Sequence, residues 1–262
     1  MTIELDDPPL LRVRGITKTF GARAAVRDVE FELWPGEILC VVGESGSGKT
    51  TLLNCLAGRV TPSAGTVEYR MRDNRFLDVH AASESMRRLL MRTDWGIVHQ
   101  NPRDGLRLDV SAGANVGERL MAVGARHYGN IRGEALSWLH RVEIPETRVD
   151  DVPAIFSGGM QQRLQIARNL VTRPRLVFMD EPTGGLDVSV QARLLDLLRS
   201  LSAELGLAAV IVTHDLAVAR LLAHRLMVMQ GGRVVEAGLT DQLLDDPTHP
   251  YTQLLVSSVL QV

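Results

Sequence analysis

The feature that most constrains this chain is a glycine-rich segment that directly follows a short apolar run. Residues 38–42 are all apolar, which is typical of a strand buried on both faces of a parallel sheet. The segment after them matches the spacing GxxxxGK[ST], and a helical run over 52–57 follows and closes at Gly58. A strand, this loop and a helix in that order predict a phosphate-binding loop. Its residues are Gly43, Glu44, Ser45, Gly46, Ser47, Gly48, Lys49, Thr50 and Thr51.

The chemistry of phosphate binding explains these residue types. Glycines let the backbone turn so that N–H groups point at phosphate oxygens, and the start of the following helix adds partial positive charge. Lys49 is expected to reach the β- and γ-phosphates and Thr50 to offer its hydroxyl to Mg²⁺. The alternative is a glycine-rich turn that binds nothing. Lysine is rare here, since Lys18 and Lys49 are the two lysines among 29 basic residues.

Two carboxylates end a second apolar run. Residues 176–179 predict a buried strand, and Asp180 and Glu181 follow it. Because consecutive strand residues point to opposite sides, one carboxylate can approach a metal while the other addresses a water. We assign Asp180 to the metal and Glu181 to the water. A merely solvated strand end is the alternative.

The remaining pattern predicts an α/β chain. Residues 11–20 and 25–33 alternate in polarity and suggest an antiparallel edge, whereas 208–213 repeat the buried-strand pattern. Residues 189–205 predict an amphipathic helix, and residues 111–141 a helical insertion. The expected apolar face of the amphipathic helix consists of Val190, Leu194, Leu197, Leu201 and Leu205.

Composition excludes several classes of protein. A length of 262 residues is enough for one sizeable core, and a net charge of −2 gives no strongly basic field for nucleic acid. No apolar run approaches the roughly 20 residues of a membrane helix, and the acidic N-terminus is unlike a signal segment. Cys40 and Cys55 suggest neither a disulfide framework nor a zinc site. We therefore expect a cytoplasmic chain without direct membrane insertion or a nucleic-acid partner.

Six motifs in a fixed order give the chain a family resemblance. They are the phosphate loop, Gln100 within 98–102, Ser157-Gly158-Gly159, Asp180-Glu181-Pro182-Thr183, Leu186-Asp187 and Thr213-His214-Asp215. The chain resembles ATP-binding-cassette (ABC) ATPases over about residues 10–250. The resemblance implies a P-loop α/β fold with a mostly parallel sheet core, an antiparallel β edge subdomain and an inserted helical subdomain. It implies one domain over 10–250 (core about 10–98 and 163–240, helical subdomain about 99–162) and a C-terminal tail over 241–262.

The resemblance also implies roles for individual residues. Two ATP molecules would bind across a head-to-tail homodimer, with Ser157, Gly158 and Gly159 of one subunit facing the phosphate loop of the other. Gln100 would approach Mg²⁺ and the attacking water, Asp187 would link the two halves, and His214 would hold the γ-phosphate and Glu181 in register. Phe20 would stack on adenine.

Each of these residues also has a simpler structural interpretation. Ser157 could be a helix N-cap, Asp187 could cap the helix that follows it, and His214 could be satisfied by Asp215. Gln100 could be an ordinary loop residue and Phe20 a core aromatic. The chain departs from the family pattern at Phe156, at Met160 and at Gly184-Gly185.

Segments outside the shared motifs concern the partner. Residues 249–255 resemble the tail of peptide and nickel importer ATPases. Residues 92–100, 117–121, 124–129 and 251–260 resemble the ATP-binding K components of the bacterial phosphonate carbon–phosphorus lyase system. That resemblance implies an ATPase serving a soluble carbon–phosphorus lyase core complex, together with a second ABC-type subunit. A permease-coupled importer ATPase is the alternative function. The segments also have simpler interpretations: residues 117–129 could be an exposed helix and loop without a particular partner. The last residues could be a terminal helix that packs Leu254, Leu255, Val259 and Leu260 inward.

Overall fold

The computed structural model describes residues 8–259. Its strands alternate with helices through the middle of the chain, as the sequence pattern predicts. In chain order the strands are β1 (Leu11–Phe20), β2 (Arg23–Leu33), β3 (Ile38–Val42), β4 (Ala64–Arg70), β5 (Phe76–Asp78), β6 (Trp95–Val98), β7 (Leu176–Asp180), β8 (Ala208–Thr213), β9 (Arg225–Gln230) and β10 (Arg233–Leu239).

The helices lie between these strands and at the C-terminal end. They are α1 (Lys49–Leu56), α2 (Glu84–Thr93), α3 (Ala112–Ala122), α4 (Tyr128–Arg141), α5 (Gly158–Leu170), α6 (Val188–Leu205), α7 (Leu216–Leu222), α8 (Thr240–Asp245) and α9 (Pro250–Val259).

The chain divides into two compact units. The first unit runs up to Arg87 and resumes at Gly206, and the second unit is the segment between them. The domain limits expected from the sequence remain a prediction.

The first unit contains two groups of strands. One is an antiparallel sheet in the order β2-β1-β4-β5; the apolar residues of β2 that alternate along it, Val29, Phe31 and Leu33, are buried. In the other group β3 pairs in parallel with β8 and β9, and β10 pairs antiparallel with β9. All residues of β3 and β8 are buried, because a parallel sheet is covered on both faces.

The second unit contains a parallel strand pair, β6 with β7, and the helices α3 to α6. Trp95 and Phe178 pack edge to face across that strand pair with ring centroids 5.5 Å apart. The fold class expected from the sequence is confirmed: a partly parallel sheet core, an antiparallel β subdomain and a helical segment.

The structure corrects two finer expectations. The buried face of α6 consists of Leu194, Leu195, Leu198 and Leu201 with Ser202, so it is rotated from the expected face, and Leu197 is only half-buried. In α9, Leu254 is 63% exposed rather than inward, and Leu255 is half-buried. The side chains of Val259 and Leu260 lie outside the described residues.

Candidate functional site

The phosphate loop is built by backbone geometry that glycine alone adopts without strain. Gly48 has φ +106°, and a Cβ there would lie 2.1 Å from the carbonyl oxygen of Ala25. Gly43 has φ +149°, and its Cβ would lie 2.2 Å from the carbonyl oxygen of Met229. Both the left-handed backbone and the close approach of neighbouring carbonyls therefore require glycine.

Lys49 points back into the loop that precedes it. Its side chain is nearly buried, and Nζ donates hydrogen bonds to the carbonyl oxygens of Gly43 at 2.6 Å and Glu44 at 2.9 Å. The Ser47 amide donates to the same Glu44 carbonyl at 3.2 Å. The ammonium group is thus held inside the loop, where an anionic phosphate would meet it.

The loop fits an oxygen-rich anion in a further respect. Ser47 is buried, and its hydroxyl oxygen makes no hydrogen bond within residues 8–259. An unpaired buried hydroxyl is costly, and a bound phosphate oxygen would satisfy it. Glu44, Ser45, Gly46 and Thr50 form the exposed part of the loop, so a ligand reaches it from solvent.

Phe20 and Arg23 lie opposite each other where β1 passes into β2. Phe20 is 55% exposed, so its ring is not a core aromatic. Lys18 Nζ lies 5.0 Å from the ring centroid. The Arg23 guanidinium lies near the phosphate loop, with Nη2 3.9 Å from where a Cβ of Gly46 would be. The sequence analysis singled out Phe20 but missed Arg23.

His214 follows the buried end of β8 and is exposed. The adjacent Asp215 forms the start of α7, since its carboxylate accepts a hydrogen bond from the Ala217 amide at 2.8 Å. The Asp215 amide in turn donates to the Thr213 hydroxyl at 3.1 Å. A rigid strand-to-helix turn therefore presents His214.

In the second unit, Asp180 and Glu181 lie at the end of β7, and both are half-buried. Glu181 has φ +43°, the left-handed region that a non-glycine side chain rarely adopts. A Gly184 amide hydrogen bond to the Glu181 carbonyl, at 2.9 Å, closes the turn. Such strain is characteristic of functional positions, so Glu181 is held in a specific orientation at the strand end.

Gln100 is exposed in the loop after β6. Its Nε2 lies 3.4 Å from where a Cβ of Gly184 would be. Within this unit the structure therefore brings the Gln100 loop beside the turn that follows Glu181. Gly185, which departs from the family pattern, has φ +74° with open space around it.

A set of buried glutamines on α5 fixes these loops, and the sequence analysis missed it. Gln165 accepts from the His99 amide at 2.6 Å and donates to the His99 carbonyl at 3.1 Å. Gln162 donates to the Pro182 carbonyl at 2.9 Å. The segments on either side, one carrying Gln100 and one following Glu181, are thereby tied to a single helix. The sequence signal was the presence of three glutamines, at 161, 162 and 165, in one short helix.

Ser157 caps the same helix. Its hydroxyl accepts a hydrogen bond from the Met160 amide at 3.3 Å, and Ser157 and Gly158 are exposed. Gly159 is buried, and a Cβ there would lie 2.7 Å from Cγ1 of Val190. The N-cap interpretation of Ser157 is confirmed, and it leaves the start of α5 open to solvent.

Asp187 immediately precedes α6 and is exposed. Its carbonyl accepts the Gln191 amide at 2.8 Å, which starts the helix. The neighbouring Val188 is 83% exposed. Asp187 and Val188 thus form an accessible helix start in the second unit.

A cavity of about 250 Å³ lies beside α3 and α4. Met121 and Tyr128, both exposed, and Gly117 line it, and Arg132 closes one side through two hydrogen bonds of 2.7 Å to Asp150. Gly117, Met121 and Tyr128 belong to the segments 117–121 and 124–129, whose resemblance in the sequence analysis concerns the partner. Within residues 8–259, no helix is both long and apolar enough to cross a membrane.

Comparison with known proteins shows which family and which relatives this chain resembles. The family model described as "ABC transporter" matches residues 26–184. The chain is 68% identical to the putative phosphonates utilization ATP-binding protein PhnK of Escherichia coli, over 97% of this chain and 98% of that protein. It is 38% identical to a putative peptide import ATP-binding protein of Brucella ovis, over 96% of this chain and 78% of that protein.

Solved structures share the fold. The dimeric post-hydrolysis state of the ATP-binding cassette MJ0796 bound to ADP and Pi has a TM-score of 0.78 and 29% identity, and the match covers 88% of this chain and 98% of that one. CbiO1 of Clostridium perfringens, part of an ABC transporter complex, has a TM-score of 0.79 and 27% identity, covering 98% of this chain and 96% of that one. The site has a phosphate loop built by glycines, a buried lysine inside it and a strained glutamate after β7. Together with the family model and the similar proteins, it shows that the chain belongs to the ABC transporter family and is an ATP-binding ATPase.

Proposed function

We propose that this chain is the ATP-binding and ATP-hydrolysing accessory subunit of a carbon–phosphorus lyase complex in phosphonate catabolism. The observation that carries the proposal is the 68% identity, over nearly the whole of both chains, to a putative phosphonates utilization ATP-binding protein. The lyase reaction itself belongs to other subunits. Cys40 and Cys55 are the only cysteines, so the chain lacks the cysteine cluster expected for a radical iron–sulfur enzyme that would split the carbon–phosphorus bond.

In this proposal Lys49 and the loop amides bind the β- and γ-phosphates of ATP. Glu181 orients the attacking water and accepts its proton, while Gln100 and His214 position the water and the γ-phosphate. Thr50, Asp180 and Gln100 would hold Mg²⁺, since hydroxyl, carboxylate and amide oxygens suit this hard cation. The bound ion would neutralise charge on the phosphate oxygens. Catalysis is then positioning plus charge stabilisation.

The proposed ATP-bound form is a head-to-tail homodimer. Ser157 and Gly159 of one subunit would touch the γ-phosphate held by the other, and Asp187 would link the halves. Support comes from the exposed start of α5 and from the dimeric state of the solved relatives. ATP binding would close this dimer, hydrolysis would open it, and the opening and closing would move the attached lyase core.

The surface beside α3 and α4 is the proposed contact with the lyase core and a second ABC-type subunit. Met121 and Tyr128 are exposed and line the same cavity, and exposed apolar side chains that share a groove are typical of a binding surface. In the proposal the chain works in the cytoplasm, without nucleic acid or membrane insertion.

A second candidate function is the ATPase subunit of a peptide, nickel or phosphonate importer. The 38% identity to a putative peptide import protein favours it. Both candidates use the same catalytic residues, so only the partner separates them.

The first experiment identifies that partner. A tagged copy replaces the natural chain in its native cells, which grow on a phosphonate as sole phosphorus source, and membranes are separated from soluble protein. Glu181→Gln, expected to hold ATP, and Lys49→Ala, expected to bind it more weakly, serve as a matched pair. Co-purification with soluble lyase subunits supports the proposal, and recovery in membranes with permease subunits overturns it.

A second measurement separates the two candidate functions by supplying the phosphonate without transport across the membrane. Cells lacking this chain are permeabilised and supplied with phosphonate, and release of the hydrocarbon product is measured. An importer defect is bypassed once the membrane is open, whereas a lyase accessory remains necessary. Restored product release would therefore contradict the proposal.

A further inference from the structure

The C-terminal segment 248–255 makes a set of contacts that the proposed ATPase mechanism does not use. The Glu236 carboxylate on β10 accepts hydrogen bonds from the Thr248 amide at 2.8 Å, the Thr248 hydroxyl at 2.6 Å and the His249 amide at 3.1 Å. The Tyr251 amide donates to Nδ1 of His249 at 3.1 Å. These bonds attach the start of α9 to the β9–β10 hairpin.

Tyr251 extends from this anchored helix to the phosphate loop. Its side chain is 6% exposed, and its hydroxyl oxygen accepts a hydrogen bond from the Glu44 amide at 3.0 Å. Burial raises the pKa of Tyr251; the hydrogen bond from the Glu44 amide opposes this rise, and the Glu44 carboxylate adds to it. The hydroxyl therefore keeps its proton at physiological pH.

The peptide group between Gly43 and Glu44 links this contact to Lys49. Its N–H, the Glu44 amide, donates to the Tyr251 hydroxyl, and its carbonyl, that of Gly43, accepts a hydrogen bond from Lys49 Nζ. Because a peptide group is planar, rotation of this group would break both bonds together. The Tyr251 bond therefore limits the motion of the loop at the point where the lysine is held.

We propose that Tyr251 is a positioning residue of the phosphate loop: its buried hydroxyl holds the Glu44 amide, and the Glu236 anchor holds Tyr251. Tyr251 keeps the loop in its binding shape before ATP arrives. ATP then binds without the entropic cost of ordering Glu44. This inference depends on the ATPase activity and not on the identity of the partner complex.

The test is Tyr251→Phe, which removes one oxygen and leaves the ring in place. We expect the KM for ATP to rise roughly 3- to 10-fold, the range of one hydrogen bond, with kcat within about twofold of the parent because bound phosphate orders the loop. Amide exchange at Glu44 should accelerate by a similar factor. Ser257→Ala is the matched control. It removes an exposed hydroxyl of the same helix that donates to the Leu254 carbonyl, and it should change neither quantity.

The two readouts distinguish positioning from general support of the fold. A merely structural tyrosine would lower the melting temperature and the active fraction, and hence kcat, with KM and Glu44 exchange unchanged; that result would overturn the proposal. Glu236→Gln is the second variant. It should move KM in the same direction as Tyr251→Phe. An unchanged KM in Glu236→Gln alone would refute the role of the anchor, and an unchanged KM in both variants would overturn the proposal.

Discussion

At the scale of single residues, Lys49 is the cation on which we expect nucleotide binding to depend most directly. Its ammonium already lies among the loop carbonyls, so it needs little rearrangement to meet a phosphate. We expect Lys49→Ala to raise the dissociation constant for ATP roughly 10- to 100-fold, the range of a hydrogen bond to a charged group. Equilibrium binding measures it. Arg75→Ala, which alters an exposed pair with Asp73, is the control and should bind like the parent.

Glu181 is expected to affect hydrolysis rather than binding. Glu181→Gln preserves the size and shape of the side chain but removes the carboxylate that orients the water, so turnover should fall at least about 10²-fold. ATP affinity should stay within a few-fold of the parent. Steady-state phosphate release measures turnover, with Glu204→Gln, a surface carboxylate of α6 paired with Arg141, as the control. Parent-level turnover in Glu181→Gln would show that another group performs this role.

At the scale of elements, the phosphate loop requires glycine at Gly48 for two reasons. A Cβ there clashes with the Ala25 carbonyl, and the backbone is left-handed. We expect Gly48→Ala to lower the free energy of unfolding by more than about 2 kcal/mol and to abolish measurable ATP binding. Gly185→Ala is the matched control, because Gly185 is also left-handed but has open space around it; it should cost only about 1 kcal/mol. Chemical denaturation measures the free energy of unfolding of both variants. If both variants lose the same stability, the clash with the Ala25 carbonyl does not explain the need for glycine at Gly48.

The attachment of α9 should depend on pH through Glu236. Burial alone would raise the pKa of Glu236, but interactions with Thr248, Thr252 and His249 outweigh it and lower the pKa from 4.5 to about 2. Because the folded-state pKa is depressed, the stabilisation is fully present above pH 4.5 and is lost as the pH falls from there toward 2. The stability difference between the parent and Glu236→Gln should therefore shrink over that range. A difference that stays constant with pH would contradict the assignment.

How far sequence predicts an element depends on whether local pattern or tertiary contact decides its structure. The strand β3 and the loop after it follow from apolar composition and glycine spacing. The buried face of α6 does not, because Leu194, Leu195, Leu197, Leu198 and Leu201 spread over an arc of about 160° of the helix, and packing decides which side of that arc is buried. Glutamines on a helix look solvated in sequence, whereas those of α5 bond to backbone groups of distant loops.

The contact of Tyr251 with the phosphate loop is another feature that the sequence pattern does not predict. The two residues that form it are separated by 207 positions, and no periodicity links them. Motif order predicts which loops carry the chemistry, since each motif is local. It does not predict which buried side chains hold those loops, because that depends on the tertiary structure.

At the scale of the whole molecule, the proposed ATPase cycle depends on two chains. Each subunit carries one phosphate loop and one exposed start of α5, so in the proposal two complete ATP sites form when the subunits face each other head to tail. In such a closed interface the two sites are equivalent and use every motif. ATP held without hydrolysis should therefore act as a dimerising ligand. Its effect should vanish when either half of the shared site is altered.

Light scattering on Glu181→Gln tests this assembly. The variant is expected to shift from monomer to dimer when ATP is added and to remain monomeric without nucleotide. Adding Ser157→Arg places a long cation at the exposed helix start, where it would collide with the partner's phosphate loop, so the double variant should stay monomeric while each chain still binds ATP. Ser157→Ala controls for the lost cap, which costs about 1 kcal/mol of stability but introduces no collision, and it should still dimerise. Dimerisation of the arginine variant would exclude Ser157 from the interface and with it the head-to-tail arrangement.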